Sequence, residues 1–212
     1  MRWHTEVLEG PQLKALKAMG PAMTRAGLSL GGGTAVALHL GHRRSDDLVW
    51  SSQAERGDML SLVTELAKGG VELKVEDVQK GTVHGSVSSV RTSILDYAHP
   101  FLNPPARAPG LGCKVASLED LAAMKLSAVT QRGSRKDFLD VFAIGLERIP
   151  LPDMLELYSQ RYRIENLTHV LIGLAYFDDA DGGPMPTMLW DVGWTEVKRT
   201  IRDWVRELAR QR

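Results

Sequence analysis

The stretch that decides the fold is Leu30-Gly31-Gly32-Gly33-Thr34, followed by His42-Arg43-Arg44-Ser45-Asp46-Asp47-Leu48-Val49-Trp50. A short apolar run enters three glycines, and Thr34 reads as the cap of a buried helix over 35–40. A glycine turn opening a helix exposes backbone N–H groups and a helix N-terminus, and both favour a phosphate. The strand expected at Asp46–Trp50 brings carboxylates that can hold Mg²⁺ against that phosphate. Glycines before a buried helix also serve packing alone, so the cluster by itself does not decide between the two readings.

Around this centre, helix is expected over 11–19 and 21–27, bent or divided at Gly20-Pro21 because proline removes a helix hydrogen bond. An amphipathic helix over 56–68 ends at Gly69-Gly70. Three strand-like runs follow, Val71–Val78, Thr82–Val90 and Arg91–Tyr97, and Lys80-Gly81 separates the first two, as in an antiparallel meander. The Pro-rich segment 100–112 reads as a linker. Everything beyond it reads as helix. Ser117-Leu118-Glu119-Asp120 and Ser134-Arg135-Lys136-Asp137 are capping-box starts. Further helices are expected over 153–161, 166–176 and 194–210, the last with Trp194, Val197, Ile201, Trp204, Val205 and Leu208 on one face. The expectation is an α/β (α+β) architecture: a small α/β lobe over 1–105 followed by a helical lobe over 106–212.

Composition narrows the function classes. The 212 residues carry 26 basic and 26 acidic side chains, so no whole-molecule field draws the chain to nucleic acid, and any such contact needs a local patch. Cys113 is the single cysteine, which excludes an intramolecular disulfide and a cysteine zinc site. Neither a leader-like apolar run nor an apolar stretch of about 20 residues is visible. The expected setting is cytoplasmic, with no membrane partner.

The order of pieces resembles the AbiEii/AbiGii toxin family of the nucleotidyltransferase superfamily. The Gly-Gly-Thr turn is followed by His42-Arg43-x-Ser45-x-Asp47 and Ile94-Leu95-Asp96-Tyr97. Then come Val115-Ala116-Ser117-Leu118-Glu119-Asp120-Leu121-Ala122-Ala123-Met124-Lys125-Leu126, Gln131-Arg132-Gly133-Ser134-Arg135-Lys136-Asp137-Phe138-Leu139-Asp140, and finally Tyr176-Phe177-Asp178-Asp179-Ala180. The resemblance implies a nucleotidyltransferase-like mixed-sheet lobe followed by a helical lobe, moving a nucleotide from an NTP to a hydroxyl acceptor such as tRNA, and a cognate antitoxin as partner. It implies Mg²⁺ held by Asp47 and a later-strand carboxylate, matched to Asp96. It puts Gly32, Gly33, Thr34, Arg43 and Ser45 around the nucleotide, Lys125 on the triphosphate, and Asp137 completing the catalytic set of Asp47, Asp96, Lys125 and Asp137.

The chain departs from that pattern at Val49, where the family's paired second aspartate falls. Asp46 cannot substitute, because successive strand residues face opposite sides. Two functions follow: a nucleotidyltransferase toxin impaired at its metal motif, or a catalytically inactive nucleotidyltransferase-fold protein that binds a nucleotide or a partner. Each site residue also has a plainer reading. Lys125 can snorkel to solvent, Asp137 can serve only as a cap, and Arg43, Arg44, Arg132, Arg135 and Lys136 can be a solvated basic surface. Asp178, Asp179 and Asp181 read as helix ends or a solvated turn.

Overall fold

A computed structural model describes residues 3–52, 58–96, 99–108 and 110–210. Seven strands form one mixed sheet: β1 (Leu28–Gly31), β2 (Leu48–Ser52), β3 (Lys74–Gln79), β4 (Thr82–Val87), β5 (Val90–Leu95), β6 (Ala106–Ala108) and β7 (Cys113–Val115). Their spatial order is β3-β4-β5-β2-β1-β7-β6. β2 runs parallel to β5 and β1 parallel to β7, while the other neighbours are antiparallel. The expected meander is β3-β4-β5. Its second turn is Ser88-Ser89, both with positive φ, which ends β4 earlier than the expected Val90. A two-residue hairpin turn needs that left-handed backbone, and a Ser-Ser pair gives no glycine signal for it.

The chain beyond residue 105 is not all helix: β6, inside the Pro-rich segment, and β7, just after it, extend the sheet. Three-residue strands are too short to show a periodicity. Tyr97, at the expected end of the third strand run, and residues 56–57 of the expected helix lie outside the described residues.

The helices among the described residues are α1 (Gly10–Arg25), α2 (Gly32–Leu40), α3 (Met59–Lys68), α4 (Leu118–Gln131), α5 (Arg135–Glu147), α6 (Leu151–Tyr162), α7 (Thr168–Ala175), α8 (Asp178–Asp181) and α9 (Trp194–Arg210). Helix α1 is continuous through Gly20-Pro21, contrary to the expected division. The glycine serves close packing instead. A Cβ on Gly20 would stand 2.9 Å from the carbonyl oxygen of Leu111, and the Pro21 ring lies against Gly112. Helix α1 packs on β1, β2, β5 and β7, and α2 joins the sheet to α4 and α5.

The C-terminal part is a helical layer around α4, with Phe138 and Phe177 buried ring against ring at 4.7 Å. Val197 and Ile201 bury the stripe of α9, each worth about 1.5–3 kcal/mol. Asp181 accepts hydrogen bonds from Trp194 Nε1 at 2.6 Å and Lys198 Nζ at 2.8 Å, and so ties α8 to α9. No helix among the described residues is long and apolar enough to cross a membrane.

Gly20→Ala tests the close approach of α1 to the hairpin. Helix propensity alone favours alanine by about 1 kcal/mol, but the overlap with a backbone carbonyl costs about 1–3 kcal/mol. Urea unfolding is expected to show a destabilised variant; a variant more stable than the parent would contradict this packing.

Candidate functional site

The glycine turn sits at the tip of β1. Gly31 lies opposite Val49 in the β1–β2 ladder, and Gly32 takes φ +62°. A Cβ on Gly32 would come within 2.9 Å of the Val49 side chain, and one on Gly33 would overlap the Arg43 guanidinium. Both glycines are therefore required by close packing. Helix α2 begins at Gly32, so Thr34 is not its cap. Thr34 is fully buried; its hydroxyl meets Ser45 Oγ at 2.9 Å and donates to the Asp47 carbonyl at 2.5 Å. Thr34 and Ser45 together fix the loop that leads into β2.

The centre of that region is a buried charge network. Asp140 accepts from Arg43 Nε at 2.8 Å and Arg43 Nη2 at 2.9 Å, from His42 Nε2 at 2.8 Å, and from Lys125 Nζ at 2.7 Å. Lys125 Nζ also reaches Asp137 Oδ1 at 2.9 Å. Arg132 grips Asp137 with Nε at 2.7 Å and Nη2 at 2.9 Å, and the Ser134 hydroxyl donates to the same carboxylate at 2.7 Å. Asp137 and Asp140 stand three residues apart on α5 and so share a helix face. That spacing is visible in the sequence, and Asp140 is the more connected of the two.

Burial alone would push both carboxyls up. Lys125 and Arg132 around Asp137, and Arg43 and Lys125 around Asp140, hold both well below the usual carboxylate range instead. Burial also depresses His42, which is fully enclosed and leaves Nδ1 without a partner, so it is neutral with its proton on Nε2 facing Asp140. The loop is pinned from outside as well, since Arg44 N donates to the Thr187 carbonyl and Leu189 N to that of His42, both at 2.9 Å. Arg43 and Lys125, expected at the nucleotide, lie in this buried network, with the Lys125 side chain only 6% exposed.

Asp47 and Asp96 do not converge. Asp47 precedes β2, and the parallel register sets Leu48 beside Thr92, which puts Asp47 beside Arg91. Asp96 lies five residues further along β5, about 16 Å away at 3.3 Å per residue. It accepts a hydrogen bond from Ser52 Oγ at 2.8 Å, at the far end of β2. The expected two-carboxylate Mg²⁺ site is therefore not formed. A carboxylate able to join Asp47 would have to stand at 91 or 93 on β5 or at 49 on β2, and the chain has Arg91, Ser93 and Val49 there. Among the described residues no group of three or more His, Cys, Asp or Glu side chains could hold a metal ion. The donor set does not fit a divalent cation.

What remains open at the turn is mixed in charge, with Asp46 and Asp47 exposed beside the cations. Arg91, with its side chain 74% exposed, stands 3.5 Å from the Asp47 carboxylate, and Lys136 lies 3.8 Å from Asp46. Arg132 is 66% exposed although it holds Asp137. Arg135, from the same basic run, points elsewhere and donates to the carbonyls of Ala180 and Asp181. Arg91 and Ser93 carry no motif that the sequence alone could single out; the strand register identifies them.

This arrangement, a glycine turn between two strands of a mixed sheet with a helical layer closing over it, is the nucleotidyltransferase fold. The structure resembles the nucleotidyltransferase toxin MenT4 from Mycobacterium tuberculosis H37Rv (TM-score 0.53, 15% identity, covering 91% of this chain and 81% of that one). It also resembles JHP933 from Helicobacter pylori (TM-score 0.51, 14% identity, 93% and 92%) and the antibiotic-resistance factor ANT(2'')-Ia (TM-score 0.51, 14% identity, 74% and 93%). By sequence, the chain is 31% identical over 180 residues to the uncharacterized protein aq_aa25 of Aquifex aeolicus (strain VF5), spanning 84% of this chain and 86% of that protein, and it belongs to the same family. No protein-family model matches the sequence.

Removing the Asp140 carboxylate leaves Arg43 and Lys125 buried without it. Asp140→Ala is expected to lower stability at pH 7 by about 3–5 kcal/mol in urea unfolding. Because both carboxyls are held low in the folded chain, they stabilise it above the unfolded carboxylate pKa of about 3.9, and that stability is lost as pH falls below it. Asp140→Asn is expected to flatten this acid limb. An unchanged acid limb would contradict the assignment.

Proposed function

We propose that this chain is a nucleotidyltransferase-fold protein of the abortive-infection toxin type that has lost the metal centre for transfer and works by binding nucleotide phosphates. The observation that carries this reading is the register of β2 against β5. It sets Arg91 beside Asp47, with Val49 and Ser93 next in line, where a metal needs carboxylates. Phosphoryl transfer is achieved mostly by positioning and charge stabilisation around a metal-bound triphosphate. With no second carboxylate beside Asp47, the exposed side chains of Arg91, Arg132 and Lys136, now paired with Asp47, Asp137 and Asp46, can turn to neutralise phosphate oxygens. Lys125 contributes little in this state, because using it on a ligand would strip two buried carboxylates of their cation. The tRNA acceptor and cognate antitoxin that the family resemblance implies are not required for binding nucleotide phosphates.

Calorimetric titration of each NTP, with Mg²⁺ and with EDTA, tests the reading together with label transfer from NTP onto total tRNA. Binding that survives EDTA, falls at least tenfold in Arg91→Glu, and is accompanied by no tRNA labelling is the expected result. Mg²⁺-dependent labelling that disappears in Asp47→Asn would overturn it and restore the transferase.

A further inference from the structure

The strand registers line up one row of residues across the sheet. Gly31 of β1 pairs with Val49 of β2, Val49 with Ser93 of β5, Ser93 with His84 of β4, and His84 with Asp77 of β3. Residues directly opposite in a ladder share a face. The other face is the buried one: Val83, Val90 and Ile94 are enclosed there, and Gly20 of α1 comes against Cys113. In the row, Ser93 and His84 are half-buried and Asp77 is exposed. The row therefore crosses the open face from the glycine turn to the edge of the sheet. It does so in four inter-strand steps, about 19 Å in all at about 4.8 Å each.

The chemistry changes along this row. Its inner end adjoins a cation, since Arg91 stands two residues before Ser93 on β5 and shares its face. Further out come a hydroxyl, an imidazole and a carboxylate. Ser93 Oγ and His84 Nδ1 are 2.9 Å apart, which turns the Nε2 edge of the ring away from Ser93. Nε2 makes no hydrogen bond among the described residues. Asp77 accepts from Gln79 Nε2 at 2.8 Å through Oδ2, and Oδ1 is left to a further donor. The register of β3 shifts between Val75 and Asp77, an irregularity of the kind that re-aims side chains, and it sets Asp77 rather than Glu76 opposite His84. A carboxylate repels phosphate but accepts from a hydroxyl. A hydroxyl both donates and accepts, so it also suits His84 Nε2 in either tautomer.

We propose that the outer part of this row binds the ribose of the nucleotide, with His84 Nε2 and Asp77 Oδ1 taking its 2′- and 3′-hydroxyls. Ser93 is a positioning residue that holds the imidazole. The inference rests on the phosphate-binding reading of the turn: phosphates held by Arg91, Arg132 and Lys136 leave the nucleoside to extend outward over β5 and β4. The ligand class is therefore a ribonucleotide, read through its sugar.

Calorimetric titration of the full chain with ATP, 2′,3′-dideoxy-ATP and inorganic tripolyphosphate separates sugar from phosphate. The parent is expected to bind ATP about tenfold more tightly than the dideoxy analogue, the size of one hydrogen bond to a charged group. His84→Ala is expected to weaken ATP by about the same factor and to erase the difference between the two nucleotides, with tripolyphosphate affinity unchanged. Asp77→Ala, at an exposed edge position, repeats the test should His84→Ala fail to fold. Arg91→Glu is expected to weaken all three ligands together. Equal affinity of the parent for ATP and its dideoxy analogue would overturn the ribose site and leave the phosphate reading intact. So would a loss of tripolyphosphate binding in His84→Ala as large as that of ATP. If none of the three ligands binds, or Arg91→Glu leaves all of them unaffected, the phosphate reading falls and the ribose site with it.

Discussion

The buried carboxylate of Asp140 is the constraint on which the rest of the region depends. One side chain on α5 accepts hydrogen bonds from Arg43 and His42 in the loop before β2 and from Lys125 on α4. It therefore locks the sheet to the helical layer. Ions taken this far from water are tolerated only when fully paired and hydrogen bonded, and here the pairing is complete. Asp137 and Asp140 face Arg43, Lys125 and Arg132, three cations against two carboxylates, with His42 neutral. The excess positive charge is expressed at Arg132, the one charged member of the network whose side chain reaches solvent.

That lock changes the meaning of the neighbouring motif. Residues that the family resemblance sets around the nucleotide hold elements together in this structure. Arg43 fills the space beside Gly33, and Val49 fills the space beside Gly32. The hydroxyls of Thr34 and Ser45 are turned to each other and to the Asp47 carbonyl. The glycines were ambiguous between a phosphate cradle and close packing, and in this structure the packing role is fully accounted for. The cations left to a ligand are the exposed ones at the rim.

Much of this was legible in the amino-acid order. The mixed sheet follows from the family resemblance, the meander and the late helices from periodicity and from glycine and proline positions, and the two serine N-caps mark the starts of α4 and α5. Three kinds of feature were not legible. Strands of three residues, β6 and β7, carry no period. A Ser-Ser turn gives no local sign of positive φ. Register between strands distant in sequence, which parts Asp47 from Asp96 and brings Arg91 to Asp47, is a tertiary property that no spacing encodes. Asp120 illustrates the same limit. Read as part of a capping box, it also receives the backbone N–H groups of Leu102 and Asn103 and pairs with Arg161, so it clamps the Pro-rich segment to the helical layer.

At the tips of β2 and β5, Asp47 has Arg91, Ser93 and Val49 around it and no second carboxylate with which to hold a divalent cation. Manganese titration followed by electron paramagnetic resonance reads this directly, because bound and free Mn²⁺ give different signals. The account predicts that the protein leaves the free Mn²⁺ signal unchanged up to millimolar metal, and that Val49→Asp/Ser93→Asp creates a bound fraction. Stoichiometric Mn²⁺ binding by the parent chain, abolished by Asp47→Asn, would contradict it.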